Sequence, residues 1–96
     1  MRISELDFLG FEYGQQFWWV HPPTPESPDG ISGPLIFKRF DIRDFHGNFV
    51  TMAIYSYADG RTHMNFVSAM TNEYQGVFMT EADARVYLQM KNKEKA

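Results

Sequence analysis

The sequence predicts an α+β fold, an antiparallel β-meander of four to five strands with a short N-terminal helix and a C-terminal helix packed on one face. Three runs rich in β-branched and aromatic residues follow one another after residue 34, and the turn-forming sequences HGN and ADGR separate them. A helical pattern with a threonine at its start follows the last of these runs. The length of 96 residues corresponds to one domain, residues 1–96.

The N-terminal third is expected to hold one short helix, one strand and a proline-rich segment. Ser4 can cap a helix over residues 5–9, with Asp7 at the third helical position. The run QQFWWV, residues 15–20, predicts a strand because aromatic and β-branched side chains favour a pleated surface. The segment 21–34 contains five prolines and is expected to form a loop or arm, since proline lacks the backbone donor that a strand needs.

The meander and the C-terminal helix follow. The predicted strands are residues 35–45, 49–57, 62–70 and, with a weaker pattern, 74–79. Thr80 is expected to cap a helix over residues 80–92, in which Glu81 and Arg85 form an i,i+4 pair. The apolar side of this helix is predicted to dock on the sheet.

Composition limits the classes of function. The chain has no cysteine, which excludes disulfides, cysteine metal ligands and thiol nucleophiles. The net charge of −3 without a basic stripe argues against nucleic acid as a partner. No apolar run has the roughly 18 residues of a membrane span, and charges interrupt the N-terminus, so we expect a cytoplasmic protein that does not enter the membrane. We expect no cofactor and no bound metal.

The two turns of the meander decide which side chains share a face. If the ADGR turn is two residues long, Tyr57 lies opposite Thr62 and Tyr55 lies opposite Met64. Both faces of this hairpin are then largely apolar, although an antiparallel sheet commonly keeps one polar face. One helix can cover only one face, so something else must cover the other.

The HGN junction, residues 46–48, allows two registers. A three-residue loop places the Arg-Asp-Arg row of residues 39, 41 and 43 beside the aromatic residues 49, 55 and 57. A two-residue Gly47-Asn48 turn places the same row beside the aliphatic residues 50, 52 and 54. We favour the three-residue loop because it gathers the aliphatic side chains into one core under the helix.

In that register the second face is aromatic with a central arginine stripe, which is the composition of many interaction surfaces. The predicted binding residues are Trp19, Phe37, Arg39, Arg43, Phe49, Tyr55 and Tyr57. We expect a non-enzymatic adaptor or inhibitor-like protein that binds a protein partner or another copy of itself through this face. The proline segment would lie over the face as a lid.

Three alternatives stay open. The proline segment and the N-terminal helix can cover the aromatic face as a second small core. The same face can bind a small molecule or stack on single-stranded nucleic acid. An enzyme acting through His63 or His46 is the third, but Ser56 opposite His63 lacks an orienting group, and Asp41, Asp44 and His46 fall on different strand faces. No catalytic residue is therefore predicted.

Overall fold

The computed structural model describes residues 2–72 and 74–95. The strands are β1 (Gln16–Val20), β2 (Ile31–Phe45), β3 (Asn48–Tyr57), β4 (Thr62–Phe66) and β5 (Gly76–Phe78), and the helices are α1 (Glu5–Phe8), α2 (Val67–Met70) and α3 (Glu81–Lys95). The strands form one antiparallel sheet in the order β4-β3-β2-β1-β5. The predicted α+β class is confirmed. β1 to β4 form a meander, and β5 returns to the far edge beside β1.

Each face of the sheet has its own core. The α1/α2 face, which α1 and α2 cover, holds a buried cluster that consists of Phe8, Phe17, Leu35, Phe37, Ala53, Tyr55, Val67, Met70 and Val77. The α3 face, which α3 covers near β1 and β5, holds a smaller cluster of Val20, Ile31, Phe78 and Ala84. Four buried aromatic rings therefore pack under the two short helices, whereas the smaller cluster on the α3 face contains one, Phe78.

The predicted helix caps are present. Ser4 Oγ accepts a hydrogen bond from the Asp7 N–H at 3.1 Å, and Phe8 then carries α1 into the core. Thr80 Oγ1 accepts from the Asp83 N–H at 3.1 Å at the start of α3. These contacts satisfy backbone donors that a helix start leaves unpaired.

Strand β2 begins at Ile31, inside the segment that was expected to form only a loop. It pairs with β1 as Phe17 with Leu35 and Trp19 with Ser32, so two residues of β2 oppose the single Trp18. Pro34 lies at this irregularity. A bulge interrupts the hydrogen-bond ladder, which is why a proline can stand within the strand.

The β3–β4 hairpin differs from its prediction by one residue. Tyr55 pairs with His63 and Ser56 with Thr62, because the loop has three residues, 58–60, instead of two. The Tyr57 N–H donates to the Arg61 carbonyl at 2.8 Å, which closes this loop. A slip of one residue moves every β4 side chain to the other face of the sheet.

The C-terminal half of the predicted third strand of the meander is helical. After Phe66 the chain turns into α2, and Thr71 Oγ1 donates to the Val67 carbonyl at 2.9 Å at its end. Val67 and Met70 are spaced by three residues, so both side chains of this single turn enter the α1/α2 core. Burial of these two side chains decides the local structure here.

The β2–β3 hairpin has neither of the two registers considered for the HGN junction, although it places the Arg-Asp-Arg row on the face that a Gly47-Asn48 turn would give. Its turn is the two-residue sequence His46-Gly47, with φ angles of 53° and 87°, and Phe45 pairs with Asn48. A type I′ turn requires positive φ at both central positions, and these two residues supply it. Arg43 consequently pairs with Val50, so the Arg-Asp-Arg row lies on the α3 face beside aliphatic residues.

A second irregularity restores the aromatic register further along β2. The pairing shifts between Phe37 and Arg39, so Phe37 pairs with Tyr55 whereas Arg39 pairs with Ile54. Because Lys38 is an extra residue in the pairing, the odd-numbered side chains before it and after it lie on opposite faces of the sheet. The sequence prediction assumed uninterrupted alternation along this strand and was wrong at this point.

Candidate functional site

Four of the seven predicted binding residues belong to a core. Phe37 and Tyr55 are 2% exposed, and Trp19 and Tyr57 are half-buried against the same cluster on the α1/α2 face. The Trp19 Nε1–H donates to Gln75 Oε1 at 3.0 Å, which fixes the indole. These rings are therefore packed in the way that the second-core alternative describes.

The other three residues lie elsewhere. Arg39 and Arg43 are exposed on the α3 face, and Phe49 is exposed near the tip of the β2–β3 hairpin. The predicted common surface required the three-residue HGN loop and an uninterrupted β2. The structure has neither, so these seven side chains do not share one face.

Tyr55 occupies the centre of the ring cluster. Its ring lies within 6.4 Å, centroid to centroid, of the rings of Phe17, Trp19, Tyr57 and His63. Burial raises the pKa of Tyr55 to about 12, the proximity of Tyr57 adds to the increase, and a hydrogen bond with Asn65 opposes it. The phenol is thus held in its neutral form among other rings.

The proline-rich loop, residues 21–30, closes the β1–β2 hairpin through a buried network. His21 Nδ1 is 2.7 Å from the Pro22 carbonyl, and His21 Nε2 is 2.7 Å from Ser32 Oγ. Because a carbonyl only accepts, Nδ1–H donates to it, and in the tautomer with its proton on Nδ1 the ring accepts at Nε2 from the Ser32 hydroxyl. Ser27 Oγ lies 3.1 Å from Ser32 Oγ and extends the network into the loop.

A serine hydrogen-bonded to an oriented histidine is the arrangement from which nucleophilic serines are activated. Here Ser32 is 3% exposed and His21 is 7% exposed, so the hydroxyl is closed to a substrate in this structure. Clefts of about 480 and 360 Å³ flank Ser32, and Trp19 and Tyr57 line the smaller one. The network holds the proline-rich loop at the rim of the aromatic cluster, with an open cleft between them.

Ion pairs fasten the same loop from outside. Glu26 lies 3.3 Å from Arg61, whose guanidinium also pairs with Asp59 at 2.7 Å, and Asp29 lies 3.6 Å from Arg85 of α3. The hydrogen bonds from Arg61 are the main reason that the pKa of Asp59 is lowered. All these groups are at least half exposed, so each pair contributes little to stability. Together they connect the loop to the β3–β4 loop and to α3.

The two histidines of the enzyme alternative have other surroundings. His46 is a turn residue with positive φ, and the His63 ring lies edge-on to Tyr57 at 4.8 Å. Ser56 pairs with Thr62, so the predicted Ser56–His63 pair is wrong by the one-residue slip of the β3–β4 hairpin.

The most unusual surface is the end of the β2–β3 hairpin. Residues 42–51, here called the hairpin arm, form a two-stranded ribbon, since within the described residues no strand flanks it on either side. Phe49 is 79% exposed, Ile42 is 68% exposed and Phe45 is 45% exposed. Ile42 and Phe49 share the α1/α2 face of the arm as diagonal neighbours. These two side chains thus project into solvent from one face, whereas the ring of Phe45, on the other face, lies 5.4 Å from that of Phe66.

Sequence reasoning found Phe49 and Arg43 of this arm but missed the arm itself. The signal was present in the strand lengths. The two central strands were predicted with eleven and nine residues, whereas the run before the prolines has only six. Long strands beside a short one leave an unpartnered edge on that side. On the other side the predicted strand 62–70 was as long as its neighbour, and the edge is free there because β4 stops at Phe66.

Comparison with known proteins finds no matching family model, no matching curated protein and no matching solved structure. Across the described ranges, none of the helices has the length and apolar character that a bilayer crossing requires. Histidine and carboxylate side chains of the same part of the chain form no group of three or more that could hold a metal ion.

Proposed function

We propose that this chain is a small, non-enzymatic, cytoplasmic protein of the adaptor or inhibitor type, which binds a protein partner through the hairpin arm. The single observation that carries the proposal is the exposure of Phe49, Ile42 and Phe45 on one projecting ribbon. Soluble proteins rarely cluster large apolar side chains on an otherwise polar surface unless the cluster meets another surface.

The backbone of the arm supports the same conclusion. Both edges of the ribbon lack a neighbouring strand among the described residues, so both present unpaired N–H and C=O groups. A free edge binds another extended chain by main-chain hydrogen bonds, while neighbouring side chains supply selectivity. The arm therefore offers hydrogen-bonding edges and apolar contacts in one place.

Energetics also favour a role in binding. Side chains that are mostly exposed bury little area on folding, and hydrophobic stabilisation scales with buried area at about 25 cal/mol per Å². Phe49 and Ile42 consequently contribute little to the stability of the fold. In a complex the same side chains would be buried.

The test uses a double variant of the arm, Ile42→Thr with Phe49→Thr, because threonine keeps a high strand propensity. The matched control is Val86→Thr with Met90→Gln, which changes two side chains of α3 that are 56% and 60% exposed. In one assay each protein is immobilised and incubated with an extract of the cells that produce it, and the retained proteins are identified. In a second assay the mass of each free protein in solution is measured by light scattering.

We expect the wild type and the α3 control to retain a partner protein or to self-associate, and we expect the arm variant to do neither. All three proteins should unfold within a few degrees of one another, since the changed side chains are exposed. An arm variant that keeps every association of the wild type would refute the proposal, as would a wild type that associates with nothing.

A further inference from the structure

We infer that the partner of the hairpin arm is a second copy of this chain, and that the free edges of the two β2 strands pair antiparallel about a two-fold axis at Ile42. This inference rests on the proposed function, because it names the partner for the same arm. Three features carry it, namely the direction of the edge hydrogen-bonding groups, the order of the charges and the space along the edge.

The free edge of β2 begins where β1 ends. The pairing with β1 stops at Ile36, and the last main-chain bonds on that side join Phe37 to Gln15 and Gly14, at 2.9 and 2.8 Å. Residues 39–45 therefore form a seven-residue edge without a neighbouring strand in the described part of the chain.

The turn determines which groups of this edge point outward. Phe45 and Asn48 flank a two-residue turn and exchange the first pair of hydrogen bonds, so the odd-numbered residues from Arg39 to Phe45 bond to β3. The N–H and C=O groups of Phe40, Ile42 and Asp44 consequently point to the free edge. These three residues are spaced for antiparallel pairing with another strand.

A two-fold axis at Ile42 matches these groups to themselves. Ile42 lies opposite Ile42 of the second copy, and Phe40 lies opposite Asp44 in both directions. All three positions become hydrogen-bonded pairs, with about six hydrogen bonds between the chains. The same surface is used by both copies, as in most soluble dimers.

The charges favour this register. About the Ile42 axis, Asp41 lies opposite Arg43 of the second copy and Arg43 lies opposite its Asp41, at the sites where side chains on neighbouring strands are closest. Within one chain Arg43 Nε donates to Asp41 Oδ2 at 3.0 Å, so both groups occupy one side of the ribbon. Charged edge strands generally prevent edge pairing, but here the alternating signs attract.

The neighbouring axes are excluded. An axis at Asp44 places two carboxylates opposite each other. An axis at Phe40 brings Ile42 of the second copy to Lys38, and the ring of Tyr13 already lies 5.0 Å from the Lys38 ammonium. An axis at Phe40 also places Asp41 opposite an arginine, Arg39, but it lays residues 43 and 44 of the second copy along residues 37 and 36, where Gln15 and β1 already pair. The Ile42 axis pairs opposite charges and ends with Phe45 of the second copy opposite Arg39, before the occupied part of the edge.

The first experiment is a charge exchange, measured by sedimentation equilibrium over a concentration series. The wild type should pass from the mass of one 11.2 kDa chain to that of two. Asp41→Arg places like charges at both sites and should weaken dimerisation about tenfold, as should Arg43→Asp. The double variant, Asp41→Arg with Arg43→Asp, should regain the wild-type dissociation constant within about threefold.

Thermal unfolding of each variant at a concentration where it is monomeric separates association from folding. A double variant that folds as well as the wild type but stays as weakly associated as the single variants would overturn the inference.

The second experiment uses the absence of cysteine from the chain. Ile42→Cys introduces one thiol at the axis, where the two Cα atoms of a hydrogen-bonded pair lie about 5.5 Å apart, within the range of a disulfide. The control is Phe49→Cys, which is similarly exposed but lies on β3, away from the axis. We expect mild oxidation to give a disulfide dimer with Ile42→Cys at least ten times faster than with the control.

The outcomes separate the two claims. If the wild type stays monomeric and Ile42→Cys cross-links no faster than Phe49→Cys, the second copy is not the partner. The proposed function is then supported only if the immobilised wild type retains some other protein that the Ile42/Phe49 variant does not retain. If the variant retains every protein that the wild type retains, both claims are refuted.

Discussion

The Tyr55 hydroxyl should make the fold sensitive to alkaline pH. The side chain is 2% exposed, and burial is the main cause that raises its pKa to about 12. In the unfolded chain a tyrosine ionises near pH 10. Between pH 10 and 12 the unfolded state therefore loses the proton while the folded state keeps it, so the free energy of unfolding falls as pH rises.

The magnitude follows from the two pKa values. One unit of difference corresponds to 1.36 kcal/mol, so the contribution of Tyr55 is fully present below pH 10 and falls by about 2–3 kcal/mol as pH rises to 12. Tyr55→Phe removes the titrating group and keeps the ring. The variant should lose this part of the pH dependence.

Urea unfolding at intervals from pH 8 to 12, followed by circular dichroism, measures the effect. Tyr13→Phe is the matched control, since Tyr13 is 76% exposed. The stability difference between wild type and Tyr55→Phe should shrink above pH 10, whereas the control should follow the wild type. Parallel curves for all three proteins would mean that the phenol is solvated, and the aromatic face would then be open for binding.

Two further substitutions test the proline-rich loop and the β2 bulge. Ser32→Ala leaves His21 Nε2 buried without its donor and should lower the free energy of unfolding by about 1–3 kcal/mol in urea titrations; a loss below about 0.5 kcal/mol would show that the network does not hold the loop. Gly33→Ala places a Cβ in overlap with Trp18 Cδ1, so the indole must move. It should destabilise by at least about 1–3 kcal/mol and shift the tryptophan fluorescence, and an unchanged emission spectrum would contradict that contact.

Local chemistry made most of the elements predictable. The capping residues Ser4 and Thr80 bear the expected hydrogen bonds, and the strand runs are strands over most of their length. These signals act over three or four residues and can be read from a single segment. The positions of most elements were therefore accessible from the sequence.

Register was not accessible, because it depends on one residue in each turn. HGN contains glycine and asparagine, both of which tolerate positive φ, so the sequence suits a three-residue loop and a Gly47-Asn48 turn equally, whereas the observed turn takes positive φ at His46 and Gly47. In the DG turn Gly60 takes a φ of 91° in a three-residue loop. A difference of one residue changes little locally but exchanges the faces of whole strands.

The predicted site failed for the same reason. Arg39 and Tyr55 were placed on one face by counting residues from a turn, and both the turn and the bulge at Lys38 altered the count. Phe49 and Arg43 remain available because their exposure depends on strand length and is independent of register. The predicted strand 62–70 gave no sign of that exposure, since it would have flanked Phe49.

The same distinction explains why the hairpin arm is a better candidate site than the aromatic cluster. The rings of the cluster are buried by their own fold, so their composition is accounted for by core packing. Ile42 and Phe49 are not, since neither strands nor helices of the described chain cover them and polar residues would serve an isolated ribbon equally well. Their apolar character is accounted for when another surface meets the arm. Pairing of two β2 edges brings the two Ile42 side chains together, and the Asp41–Arg43 order along that edge fits a second copy of it.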